Sequence, residues 1–223
     1  MAPKGILSQW QIELREKFAL NWPIYDGQKL RWFPSRAKVE ELERQVEHYE
    51  WHREPFVLTS SQLMRRRDRA TELIEHAEDY DLIILDEAHH ARRRSSSGEG
   101  DGTPNELLRL MDRLKDKTKS LLLLTATPMQ ISPVEVWDLL RLLGLPEEWT
   151  SSEFRRFYEE TAGLNPSDES LEHSAYLFRT LEREFSETSI EQTRAFVPNN
   201  SGVAAKRVLD ALKGGTPIPR RML

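Results

Sequence analysis

The residues best equipped for chemistry stand in the run Asp81-Leu82-Ile83-Ile84-Leu85-Asp86-Glu87-Ala88-His89-His90. Four aliphatics lead into two adjacent carboxylates, the pattern of a buried strand that delivers acids to its carboxyl end, where ligands sit in open parallel sheets. Neighbouring side chains on a strand diverge, so the two acids need different jobs. One can hold Mg²⁺ through its water shell, and the other can orient or deprotonate a water that attacks a γ-phosphate. The plainer reading is a strand followed by a helix cap, because acids favour a helix's first turn. A second run, Ser120-Leu121-Leu122-Leu123-Leu124-Thr125-Ala126-Thr127-Pro128-Met129-Gln130, ends in two hydroxyls and a proline. Alone it reads as an N-cap; beside the first run, one crossover away, its hydroxyls can reach the neighbouring strand's carboxylates.

These side chains need a scaffold, and periodicity supplies one. Ile6, Leu7, Trp10, Leu14 and Phe18 recur at helical spacing, as do Val39, Leu42, Val46 and Tyr49, and later Val134, Trp137, Leu140 and Leu143. Between them, Trp22 to Tyr25, Pro55 to Thr59, Leu82 to Leu85 and Leu121 to Leu124 are short apolar bursts without alternation, which suit strands covered on both faces. Strands alternating with amphipathic helices imply right-handed crossovers and a parallel sheet. The expected fold class is therefore α/β over residues 1–148. Residues 149–223 read as a helical appendage, with Phe154, Phe157 and Tyr158 on one helix and Tyr176, Leu177, Leu181 and Phe185 on another. A further short helix around Val203 to Leu212 and a frayed end follow Phe196 and Val197. Arg92 to Pro104, rich in Ser, Gly and charge, reads as a mobile loop.

The 223 residues hold 32 Lys+Arg against 37 Asp+Glu, a net charge of −5, which excludes a protein that coats polyanions by bulk charge but leaves room for a local basic patch. With no cysteine there is no disulfide framework, thiolate metal site or cysteine nucleophile. No apolar run approaches the ~20 residues of a membrane span, and Gln9, Gln11, Glu13 and Arg15 come too early for a signal peptide. The expectation is a cytoplasmic protein without a membrane partner.

DEAHH and LLLLTATPMQ resemble motifs II and III of superfamily 2 helicases, and the surrounding sequence is similar to the Snf2 branch, especially its prokaryotic members. Pro3-Lys4-Gly5-Ile6-Leu7-Ser8-Gln9-Trp10, with Glu13-Leu14 and Lys17-Phe18, resembles motif Ia and its helix. Val57-Leu58-Thr59-Ser60 is similar to motif Ib, and Pro133 to Leu140 to the helix after motif III. The resemblance implies ATP and Mg²⁺ as cofactors, with Asp86 as the Mg²⁺ ligand through water and Glu87 as the catalytic base. It implies that His89 senses nucleotide. It implies that Thr125, Ala126, Thr127 and Pro128 form the coupling motif, its two threonines linking nucleotide state to DNA contacts. Gln9, Trp10, Thr59 and Ser60 would touch the phosphate backbone, double-stranded DNA being the expected nucleic acid. Trp10 also lies on an apolar stripe and reads as core, and Ser60 also reads as a helix cap. Arg92, Arg93 and Arg94, leaving the active end of the sheet, are better placed for phosphate than Arg65-Arg66-Arg67 and Arg69, although charge runs are commonly solvated faces.

The family's phosphate cradle, GxxxxGK[ST], has no counterpart here, for the chain contains no Gly-Lys dipeptide. It is expected before Met1, with the strand that ends at Pro3, and the second RecA-like lobe beyond Leu223. The resemblance thus implies a partial RecA-like (P-loop NTPase) lobe 1 of an ATP-dependent DNA translocase, inactive alone. A separate chain supplying the cradle and second lobe is one expected partner. RNA polymerase or a phage-defence complex is another, the tail from Phe154 to Phe185 resembling the polymerase-associated type. The alternatives are a non-catalytic DNA- or protein-binding module, or the remnant of a truncated gene.

Overall fold

The computed structural model describes residues 1–34, 42–47, 49–76, 79–94, 102–126, 132–162 and 167–184, with Arg94, Ala162 and Glu184 described through their backbone alone. The chain divides into two compact units, Met1–Leu143 and Gly144–Leu223.

The apolar stripe of the first residues forms helix α1, Leu7–Phe18. It closes on Ala19, whose left-handed backbone (φ 58°) turns its N–H back to the carbonyls of Arg15 and Leu14. Strands β1 (Ile24–Tyr25), β2 (Lys29–Arg31), β3 (Glu43–Gln45) and β4 (Leu58–Thr59) make a sheet in the order β3-β2-β1-β4, antiparallel except for the parallel pair β1–β4. Short helix α2 (Ser61–Met64) and α3 (Arg67–His76) precede β5 (Ile83–Leu85). Hairpin strands β6 (Arg93–Arg94) and β7 (Thr103–Pro104) lead to α4 (Glu106–Leu114), then β8 (Leu121–Leu123), parallel to β5, and α5 (Pro133–Leu142).

Met1 and Ala2 join the two halves of this architecture. The Ala2 N–H donates to the Thr59 carbonyl at 3.1 Å and Ser61 N–H to the Ala2 carbonyl at 2.9 Å, a parallel bridge beside β4. On the other side, the Met1 amino group donates to the Ile84 carbonyl at 2.6 Å and Asp86 N–H to the Met1 carbonyl at 2.8 Å. The sheet therefore runs β3-β2-β1-β4-(Met1–Ala2)-β5-β8, and the expectation that the strand ending at Pro3 lies wholly before Met1 is corrected. Alternation along the strands sorts two apolar layers. Ile24, Leu58, Ala2 and Leu7 pack with Trp10 and Leu14 of α1, while Tyr25, Ile83 and Leu85 pack with Leu73 of α3 and Leu107, Leu108, Met111 and Leu114 of α4.

Four further expectations change. The sheet is mixed, because β2 and β3 form an antiparallel hairpin extension. The helix expected through Val39, Leu42, Val46 and Tyr49 gives way to β3, where Glu43 pairs with Lys29 at 2.5 Å across the ladder; Val39 itself lies outside the described residues. Nor are all the apolar bursts covered on both faces: Leu82 is 50% and Leu122 44% exposed, at the β8 end of the sheet. The ends of the Arg92–Pro104 segment are paired as β6 and β7.

The second unit holds α6 (Ser151–Ala162) and α7 (Asp168–Glu184) around Trp149. The Trp149 indole, buried against Phe154, Phe157 and Phe178, donates to the Leu177 carbonyl at 2.9 Å and to Thr180 Oγ1 at 3.0 Å. Phe185, Phe196, Val197 and residues 203–212 lie outside the described residues. No described helix is long and apolar enough to cross a membrane.

Candidate functional site

All the parallel strands run the same way, so the starts of α1 and α2, the Asp86-Glu87 pair and Thr125 are delivered to one edge of the sheet. The apolar run of β5 ends at Asp86, whose carboxylate is held at two points. Trp10 Nε1 donates to Oδ2 at 2.7 Å, and the Glu87 backbone N–H donates to Oδ1 at 2.9 Å. Glu87 then takes a left-handed backbone, φ 52° and ψ 50°, a region that disfavours residues with a Cβ. A single turn of 3₁₀ helix, Ala88–His90, follows. The Ala88 N–H donates to the Leu124 carbonyl at 2.8 Å, and Leu124 N–H to the Leu85 carbonyl at 2.9 Å, so the turn is anchored to the end of β8.

That anchorage brings three of the candidate residues together. His89 Nδ1 lies 3.1 Å from Glu87 Oε2 and 3.2 Å from Thr125 Oγ1. The His89 and His90 rings lie 4.3 Å apart. Burial pushes the His90 imidazole below its ordinary range, helped by the charges of His89 and Arg65, with Glu87 opposing and Arg92 adding to the shift. Asn105 holds this segment from behind: its Nδ2 donates to the His90 carbonyl at 2.7 Å while its Oδ1 caps α4 through Leu108 N–H at 2.9 Å.

The residues expected at phosphates divide. Gln9 and Arg92 are exposed. Thr59, Ser60 and Arg93 are engaged inside the protein. Thr59 is 4% exposed and its carbonyl is taken by Ala2. Ser60, 5% exposed, accepts from Leu63 N–H at 3.0 Å as the N-cap of α2, worth about 1 kcal/mol. Arg93 grips Asp138 of α5 with both ends of its guanidinium, Nε to Oδ2 at 2.7 Å and Nη2 to Oδ1 at 2.9 Å, with Asp138 0% exposed. The Trp137 ring lies 5.5 Å from the same guanidinium. Ala126 is exposed. Thr127, Pro128 and the Arg94 side chain lie outside the described residues.

Sequence reasoning weighed Trp10 as core or as a nucleic-acid contact, and it missed its bond to Asp86. No local signal marks a partner 76 residues away. It also missed Asp138, although a carboxylate beside Trp137 and Leu139 on a helix that must bury a face asks for a buried cation. Asn105 could have been found, as an Asn directly ahead of an apolar helical run.

A mixed α/β sheet with paired acids, a histidine and a hydroxyl at the carboxyl ends of its parallel strands defines a class of sheet proteins whose chemistry is seated at that edge. The chain belongs to the SNF2-related domain family, whose model matches residues 1–207, and it is a Snf2-type superfamily 2 helicase-like protein. It is similar to the RNA polymerase-associated protein RapA of Photobacterium profundum, with 28% identity over 171 residues. That match covers 77% of this chain and spans 16% of the relative's length.

Proposed function

We propose that the chain is the acid-bearing part of a RecA-like ATPase lobe in a DNA translocase, with Asp86 and Glu87 as its catalytic acids. The observation that carries this reading is the held carboxylate of Asp86 beside a strained Glu87 whose side chain meets His89, itself within reach of Thr125. Strained backbone concentrates at functional sites. Among the described residues no three His, Asp or Glu side chains gather as a metal cage, so Asp86 would meet Mg²⁺ as one carboxylate ligand, with water and phosphate oxygens completing the shell of a hard cation; the glycine-lysine contacts for phosphate have no counterpart among these residues. MgATP, when bound, supplies a terminal phosphoryl group whose transfer to water is driven by in-line attack. Asp86 would hold the cation through its water shell. Glu87 would accept a proton from the attacking water at a carboxylate oxygen, and His89 Nδ1 would steer that carboxylate while reporting its position to Thr125. Gln9 and Arg92 would face the nucleic acid, and a segment outside this chain would supply the cradle, beside the uncovered end of the sheet at β8. The likeness to a polymerase-associated protein makes RNA polymerase the partner to test first.

The test is ATP hydrolysis by the chain alone and by the chain joined to segments carrying GxxxxGK[ST] and a second RecA-like lobe, each with and without double-stranded DNA. The joined protein is expected to turn over with DNA stimulation. Glu87→Gln should lower that turnover by about 10²–10⁴-fold, the usual worth of a general base, while MgATP binding persists. Unchanged turnover in Glu87→Gln would refute the role. A second reading, a non-catalytic binding module, would be supported by tight DNA binding indifferent to nucleotide.

A further inference from the structure

We propose that Trp10 is the positioning residue of Asp86, setting the plane of its carboxylate for a cation through the indole N–H. The inference rests on the reading of Asp86 as the cation's acid.

The argument begins with the two-point hold. Each oxygen of Asp86 receives one donor, Oδ2 from Trp10 and Oδ1 from the Glu87 backbone, and each keeps a lone pair for something else. The two donors come from independent elements, α1 and the turn after β5, so rotation of the carboxylate breaks one bond or the other. The indole is a rigid donor with no acceptor role, and its body is wedged in the apolar layer with Ala2, Leu7, Ile24 and Leu58. Its aim is therefore set by packing. A tryptophan that served packing alone needs only some acceptor for its N–H, and Trp149 shows this case, taking the Leu177 carbonyl and Thr180 hydroxyl. Trp10 instead reaches an acid at 2.7 Å, the short distance of a bond to a charged acceptor. Groups that hold a metal-binding carboxylate from behind commonly change metal affinity by 10–100-fold.

The test uses the full chain labelled with ¹⁵N, whose six tryptophans give six indole cross-peaks, and Mn²⁺ as the probe cation. Trp10→Phe keeps the ring body, removes the N–H and identifies the Trp10 peak by its loss; a thermal melt checks that the variant is folded. Asp86→Asn reads the bond from the other side and should shift the Trp10 peak more than the other five. Mn²⁺ should broaden the Trp10 peak of the unaltered chain first. Free Mn²⁺ measured by electron paramagnetic resonance should show affinity about tenfold weaker in Trp10→Phe. A Trp10 peak indifferent to Asp86→Asn, or equal Mn²⁺ affinity in Trp10→Phe and the unaltered chain, overturns the inference alone. Mn²⁺ that broadens no indole in preference to the others overturns the cation role of Asp86, and the inference with it.

Discussion

Glu87 and Ala19 share a left-handed backbone, at φ 52° and φ 58°, and together they measure what the site costs the fold. In that region Cβ crowds the following carbonyl, which costs an L-residue about 1–2 kcal/mol. Glycine escapes the clash but loses more freedom on folding, an opposing term of about 0.5–1 kcal/mol. Ala19 ends α1, is exposed and carries no chemistry, so Ala19→Gly reports the backbone term alone: a gain of about 1 kcal/mol. Glu87 must be compared through Glu87→Ala, because both Glu87→Ala and Glu87→Gly delete the contact with His89. Glu87→Gly should then exceed Glu87→Ala by about 1 kcal/mol. Ala70, inside α3, gives the opposite sign, Ala70→Gly losing about 1 kcal/mol. Urea melts followed by circular dichroism at constant m yield the differences, and each 1 kcal/mol moves the thermal midpoint by about 2–4 °C in a chain of this size. If Ala19→Gly gains and Glu87→Gly does no better than Glu87→Ala, strain is not stored at Glu87 and the argument that it marks a working acid fails.

The buried pair predicts a large, non-additive effect. Arg93→Leu leaves Asp138 buried without its cation and should lose about 3–5 kcal/mol, while Arg93→Leu with Asp138→Leu recovers most of it; a loss under about 1 kcal/mol for Arg93→Leu would mean the pair is solvated. His52, 5% exposed, is pushed below its ordinary value of 6.5 by burial first and by Arg53 and His76, with the Tyr49 backbone and Glu72 opposing. Folding thus prefers neutral His52, as it does His90. Stability is fully present above pH 6.5, falls as pH drops through that value because the unfolded chain takes up the proton first, and levels below the folded-state value. His52→Leu should flatten the fall in urea midpoint between neutral and mildly acid pH, and an unchanged slope would refute the assignment.

What the residues announced in advance was whatever local pattern can carry. The aliphatic runs ending at Leu85 and Leu124 do form strands, as short apolar bursts suggest, though Leu82 and Leu122 stay exposed. Helices α1 and α5 form where a 3.6-residue period placed them, although Phe18 and Leu143 of the expected stripes are exposed and Leu139 and Leu142 lie on the buried face of α5. The β2–β3 hairpin was illegible because Lys29-Leu30-Arg31 and Glu43-Arg44-Gln45 are mostly charged; they are strands by virtue of each other's hydrogen bonds and a cross-strand ion pair. At the site, the identities of Asp86, Glu87, His89 and Thr125 were legible and their bonds were not. The indole on Asp86 and the Arg93–Asp138 clasp join residues 76 and 45 positions apart, and the left-handed turn at Glu87 contradicts its own propensity.

The position of His89 Nδ1 between Glu87 Oε2 and Thr125 Oγ1 also fixes a tautomer. A carboxylate offers only lone pairs, so a bare Nδ1 facing it would be repelled; the ring is held there only when Nδ1 carries the hydrogen. Thr125 then receives part of that hydrogen and keeps its own hydroxyl proton to give elsewhere. In the neutral ring Nε2 is then a lone-pair acceptor and in the protonated ring a second donor, so what His89 offers a group on that side turns on its charge.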